Sequence, residues 1–304
     1  MSDNRKISKK FHSLVSIKIL LFLIMNKLSL QRQKFQSFPY HLVTPSPWPI
    51  LISFSLLSVT IGAVMYMHGF FNGDTLLSFG LVLTISGMCF WFRDIITEGT
   101  MLGDHTQEVV AGLVYGIVLF IISEIFAFLS VFWAFFHSSL SPAIEIGGTW
   151  PPLGITPLNP FAIPLLNTFL LLSSGATVTY GHHALIGGNR SAAIEGTFIT
   201  IIFAIIFTAL QVFEYNQAPF TLTDSVFGSA FFVSTGLHGL HVLVGTLFIS
   251  YGFTRIIKYH LTNRHHQGHE AAIYYWHFVD IVWLFLFMVV YMWGGLGIGF
   301  TLGW

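Results

Sequence analysis

The chain has one cysteine, Cys89, so it can form no internal disulfide and no thiolate cluster for a metal. Charge is equally scarce. Asp, Glu, Lys and Arg make up 9% of the 304 residues, against about 25% in a soluble domain. That deficit excludes an ordinary water-soluble fold. Net charge is zero, which removes the electrostatic basis for nucleic-acid binding. There is no P-loop, Rossmann glycine pattern, nucleophile elbow or metalloprotease HExxH. The sequence shows no internal repeat and no low-complexity tract. No apolar run is broken mid-span by paired Gly and Pro as in many transporters, and none carries the basic ladder of a voltage sensor.

What is present is hydrophobicity: 54% apolar residues, 16% aromatics and a mean hydropathy of +0.73. Seven apolar runs emerge, at roughly Ile50–Met67, Leu76–Ile96, Gly112–Phe136, Phe161–Leu185, Gly196–Phe213, Phe231–Ile256 and Ala272–Trp293. Each is near the length of about 20 residues that crosses a bilayer as a helix. Strands in lipid would have to close into a barrel and would be short and alternating, so the expected fold is all-α and polytopic.

Lys and Arg give an orientation. Arg5, Lys6, Lys9, Lys10, Lys18, Lys27, Arg32 and Lys34 precede the first run. The remaining five, Arg93, Arg190, Arg255, Lys258 and Arg264, lie at or near connections two, four and six. This alternation supports an odd number of spans, with the N-terminus on the positive side and the C-terminus opposite.

Residues 1–38 read as a basic N-terminal extension and 39–304 as the membrane domain. The short apolar stretch Ile17–Met25 is below spanning length. It reads as a surface-lying helix, a removed leader, or an extension upstream of a start that corresponds to Met25. The third of these is preferred, and the leader ranks last, because no small-residue cleavage site is evident. Pro39, Pro45, Pro47 and Pro49 predict an extended lead-in, with Trp48 as an interfacial anchor. The stretch Ser138–Pro160, rich in Pro and Gly, predicts an ordered external loop.

Ionisable residues inside apolar runs are expensive and so informative. Glu124 is the only ionisable residue in GIVLFIISEIFAFLSVFWAFF. It reads either as a protonated carboxyl bonded to a neighbour or as a group that handles protons. His238 and His241 lie three apart, on one helical face, as do His277 and Asp280. These could ligate a haem or metal, or they could hydrogen-bond between helices. His182 and His183 are adjacent and point apart. A second cluster falls at the positive-side ends of the spans: Trp91, Arg93, Asp94, Glu98, Asp104, His105 and Glu108, then Arg255, Lys258, His260, Arg264, His265 and His266. It reads as positive-side flanking with snorkelling side chains, as a site for lipid phosphate, or as both.

Four segments carry a resemblance: FIISEIFAFLSVFWAFFHSSLSP, WPPLGITPLNPFAIPLLNT, ALQVFEYNQAPFTLTDSVFGSAFFVSTGLHGLHVLVG and YYWHFVDIVWLFLF. With PYHLVTPSPWP and FWFRDIITEGTMLGDHT, they closely resemble cytochrome c oxidase subunit 3 of the mitochondrial type, from about Pro39 to Trp293. The resemblance implies seven helices split two plus five around a lipid-filled cleft. It implies a non-redox core subunit of the terminal respiratory oxidase, which passes electrons from cytochrome c to oxygen and pumps protons. Haem A and copper are then held by partner subunits 1 and 2, beside accessory subunits, and this chain holds no metal.

It further implies that His238 and His241 pack helices, that Glu124 is an intramembrane carboxyl facing the cleft, and that the cleft offers oxygen a path. Trp91, Glu98, His105, Arg255 and His265 match lipid contacts. Phe92 stands where the family often has a second tryptophan. The implied location is the mitochondrial inner membrane, N-terminus in the matrix and C-terminus in the intermembrane space. The implied role is support of assembly, stability and proton uptake, with structural, mainly anionic, phospholipids bound. The alternatives are the equivalent subunit of a quinol oxidase and a stand-alone seven-helix transporter or receptor.

Overall fold

The computed structural model describes residues 37–296. The basic extension lies almost wholly outside the described residues, as does the C-terminal end. Seven long helices follow one another: α1 (Trp48–Met67), α2 (Gly73–Thr97), α3 (Gln107–Leu140), α4 (Ile163–Ile186), α5 (Arg190–Gln217), α6 (Val226–Ile257) and α7 (Gln267–Leu286). Two of them run on in wider π-helical turns, Glu98–Leu102 after α2 and Phe287–Trp293 after α7. All seven are long and apolar enough to cross a membrane, and the described residues contain no strand. The expected all-α, seven-span class is what the chain adopts.

Most of the helices overrun the apolar runs at their polar ends, while α4 starts at Ile163, two residues inside its run. α5 begins at Arg190, capped by Asn189, whose side chain accepts from the Ala192 amide at 3.2 Å. Backbone hydrogen bonding, not hydropathy, sets where a helix stops.

The chain divides into two compact units at Leu113, within α3. The first holds α1 and α2, and the second holds α4 to α7 with most of α3. In the first unit, α1 and α2 approach so closely that backbone meets backbone. A Cβ on Gly62 would lie 2.5 Å from the Leu77 nitrogen, and one on Gly80 would lie 2.8 Å from the Val59 nitrogen. Such close approach supplies the dispersion contacts that hold helices together in lipid, where apolar burial gives little drive. Between the same helices the Thr84 hydroxyl donates to Ser55 Oγ at 2.9 Å.

In the second unit, α7 is the central helix. Trp276, Trp283 and Leu286 are fully buried. The indole nitrogens donate to α4, Trp276 to Ser174 Oγ at 2.9 Å and Trp283 to Thr168 Oγ1 at 3.0 Å. Each large ring therefore packs apolar faces and still satisfies its one donor. The connection after α3 is pinned by Trp150, buried against Phe135 and Phe227 at centroid distances of 5.5 and 5.4 Å. The outer surfaces of α3 carry exposed Leu119, Phe126 and Trp133.

Candidate functional site

Glu124 stands in the middle of α3, and His241 stands on α6. His241 Nε2 and Glu124 Oε2 are 2.8 Å apart. The other ring nitrogen, Nδ1, is 2.7 Å from the Leu237 carbonyl. A carbonyl can only accept, so Nδ1 carries a proton. The short contact on the opposite side then needs one proton between Nε2 and the carboxyl. Whether that proton sits on nitrogen or oxygen, the pair as a unit is neutral, which lowers the cost of placing a carboxyl in a span. Phe128 lies edge-on to the His241 ring at 4.9 Å, and Tyr275 stacks on it at 6.1 Å. His241 is thus held on several sides.

His238, one turn away, serves a different contact. Its Nε2 donates to the Val279 carbonyl of α7 at 3.3 Å, and it is fully buried beside Trp283. His277 and Asp280 do meet, with Nδ1 and Oδ2 3.8 Å apart. Thr179 Oγ1 lies 3.2 Å from His277 Nε2.

The sequence reading missed a further carboxyl inside the second unit, besides Glu124 and Asp280. Glu214 is 2% exposed. It accepts from the Tyr291 hydroxyl at 2.6 Å and from Gln211 Nε2 at 3.2 Å. It falls just beyond the apolar run expected to end at Phe213, whereas α5 continues to Gln217. Helix period was the available signal: Gln211 and Glu214 are three apart, on one face.

The positive-side residues fall into separate groups. In the first unit, Trp48 Nε1 donates to Asp94 Oδ2 at 2.6 Å, and Arg93 donates to Asp94 Oδ1 at 2.8 Å. Trp91 is partly exposed on α2. Glu98 opens the π-helical turn, and Glu98 and His105 converge with His41 of the proline-rich lead-in. His41 Nδ1 is 3.9 Å from Glu98 Oε2, and the His41 and His105 rings are 5.9 Å apart. The sequence reading gave His41 no role. Burial holds the His105 imidazole below its usual pKa, and the neighbouring His41 adds to the effect.

In the second unit, Arg190 donates to the Ile256 and Ile257 carbonyls at 3.1 and 2.6 Å and so caps α6. Its guanidinium lies 3.5 Å from the Tyr259 ring centroid. Arg255 lies half-buried against Gly268, where a Cβ would come within 2.9 Å of Nη1. His265 lies on the same connection between α6 and α7. Its backbone amide donates to Thr262 Oγ1 at 3.1 Å. Burial lowers the pKa of its imidazole, and nearby His266 and Arg264 lower it further.

Residues 38–295 match the family model described as cytochrome c oxidase subunit III. Cytochrome c oxidase subunit 3 of Mycosarcoma maydis is 60% identical over 270 residues, covering 87% of this chain and 98% of the relative. That of Schizophyllum commune is 58% identical over 261 residues, covering 86% and 97%. That of Allomyces macrogynus is 55% identical over 268 residues, covering 88% and 98%. A match of this extent, on seven membrane-length helices, means that the chain belongs to the cytochrome c oxidase subunit III family and is a subunit of that oxidoreductase, complex IV of the respiratory chain.

Proposed function

We propose that this chain is a supporting subunit of the oxidase that stabilises the catalytic subunit, sustains its proton uptake and retains phospholipid. Haem A and copper belong to partner subunits 1 and 2 in this reading, and accessory subunits complete the particle. The subunit 3 relatives are named for cytochrome c oxidase, which supports cytochrome c rather than quinol as the electron donor.

The observation that carries the reading is the Glu124–His241 contact. A carboxyl and an imidazole that neutralise one another inside a span form a fixed polar joint between helices. Such a joint tunes local structure and proton occupancy without any redox chemistry of its own. The exposed apolar side chains of α3 support burial in lipid or against partners.

The match to cytochrome c oxidase subunit 3 relatives supports the mitochondrial inner membrane, and the alternation of Lys and Arg supports the N-terminus in the matrix and the C-terminus in the intermembrane space. On that matrix side, Trp91, Glu98, His105, Arg255 and His265 are the residues we assign to lipid. Residues 39–304 form the membrane domain, and residues 1–38 a basic extension that is not part of it.

Co-purification tests the reading. Detergent extraction through a tag on this chain should recover haem A and copper in the same particle. A chain that migrates alone, with neither, would refute it.

A further inference from the structure

Four polar side chains form a line of hydrogen bonds through the second unit, from α4 across α5 to the π-helical turn after α7. Asn167 Nδ2 donates to Gln211 Oε1 at 3.4 Å, and Gln211 Nε2 donates to Glu214 Oε1 at 3.2 Å. The Tyr291 hydroxyl closes the line, donating to the same Glu214 oxygen at 2.6 Å. Asn167, Gln211, Glu214 and Tyr291 are all buried, none more than 6% exposed. Large rings seal the tyrosine end, with Phe231 and Trp283 at centroid distances of 5.2 and 5.8 Å from Tyr291.

We propose that this line is a proton-binding site, in which Glu214 is held as a neutral carboxylic acid with its proton on Oε2. Both partners of the carboxyl are neutral, and both donate to Oε1. That fixes the Gln211 amide, which must aim Nε2 at the acid and Oε1 at Asn167. Asn167 must then present Nδ2 to Gln211, and its own Oδ1 is left over. Two buried oxygens remain without a donor, Glu214 Oε2 and Asn167 Oδ1.

An ionised carboxyl would make Oε2 a charged acceptor with nothing to accept, the costliest state in a dry interior. One proton removes the charge and turns Oε2 from an unfilled acceptor into a donor, beside an amide whose acceptor is still unused. A metal cation fits less well. Hard cations take about six oxygens or more, and two are left over here. Glu214 lies in the last turn of α5, at the end opposite Arg190. The site shares no residue with the Glu124–His241 pair, and the supporting role proposed above does not depend on it.

The test uses infrared absorption of the intact oxidase complex at neutral pH. Glu214→Gln keeps a donor, an amide N–H, where the acid has its O–H, so the complex should assemble. The spectrum of wild type minus Glu214→Gln, at equal haem content, should contain the carbonyl stretch of one protonated carboxyl. A difference that contains the paired stretches of a carboxylate instead overturns the proposal, whether or not a cation accompanies it. So does a difference without the protonated band. If the variant fails to assemble, the electrostatic-potential map of the wild-type complex from electron cryomicroscopy decides. Ionised carboxylate oxygens give weak or negative density, and neutral ones give positive density. Positive density at both Glu214 oxygens, matching that at Asn167 Oδ1, upholds the site. Weak or negative density there, or the separate peak of an ion beside Oε2, overturns it.

Discussion

Glu124 and His241, on different helices and far apart in the chain, share a hydrogen bond of 2.8 Å. The contact replaces an isolated carboxyl in lipid by a neutral pair, and it joins α3 to α6 within the second unit. A partner for the carboxyl is what the cost of burial demands.

Glu124→Gln keeps a polar end within reach of His241. The complex should assemble, and its haem absorption spectrum should be unchanged. His241→Leu, by contrast, leaves the Glu124 carboxyl without its partner, at a cost of about 1–3 kcal/mol. The chain should then dissociate from the purified complex at a lower temperature than in Glu124→Gln. Equal thermal loss in the two variants would contradict the pairing.

Gly62→Ala sets two effects against one another. Alanine gains about 1 kcal/mol of helix propensity over glycine. The added Cβ would lie 2.5 Å from the Leu77 backbone nitrogen, however, and backbone cannot rotate away. Overpacking costs about 1–3 kcal/mol, so the clash should win. Protease susceptibility between α1 and α2 should rise. Gly112→Ala is the control, since nothing lies within 4 Å of its Cβ position, and it should show no such rise.

Arg255→Ala removes a half-buried guanidinium from the end of α6. Retained anionic phospholipid per complex should fall, read by mass spectrometry of extracted lipid. Zwitterionic lipid should be little affected, because the interaction lost is one of charge. Unchanged anionic lipid would remove Arg255 from the lipid assignment.

His265 supplies a pH dependence with a definite sign. Its folded pKa lies below the usual histidine value, by burial first and then by the charges of His266 and Arg264. The unfolded chain therefore binds the proton more readily than the folded one. The stabilisation is present above about pH 6.5, the ordinary value, and is lost as pH falls towards and through the lower folded value. Retention of this chain in the complex should weaken between pH 7.5 and 5, and His265→Gln should weaken less over the same range. Parallel curves for the two would count against this origin.

The seven spans were legible because lipid imposes one requirement on every spanning segment, about 20 apolar residues in helical form. Their ends were less legible. The run expected over Gly196–Phe213 became a helix from Arg190 to Gln217, since polar residues at either end continue the hydrogen-bond ladder as well as apolar ones do. That difference hid Glu214. His41 was hidden for another reason. It sits in a proline-rich lead-in remote in sequence from Glu98, and nothing local marks it.

Composition by itself determined that the chain lives in a membrane, that it is helical, and that ionisable groups at depth carry meaning. Those properties are sums over residues or patterns along one segment, so they survive without knowledge of neighbours. Only the tertiary structure decided which partner each buried group has: His241 for Glu124, Tyr291 for Glu214, and His41 with Glu98 and His105. Pairing depends on how helices distant in sequence are brought side by side and rotated about their axes. The packing of glycines and large rings sets that geometry, and hydropathy does not.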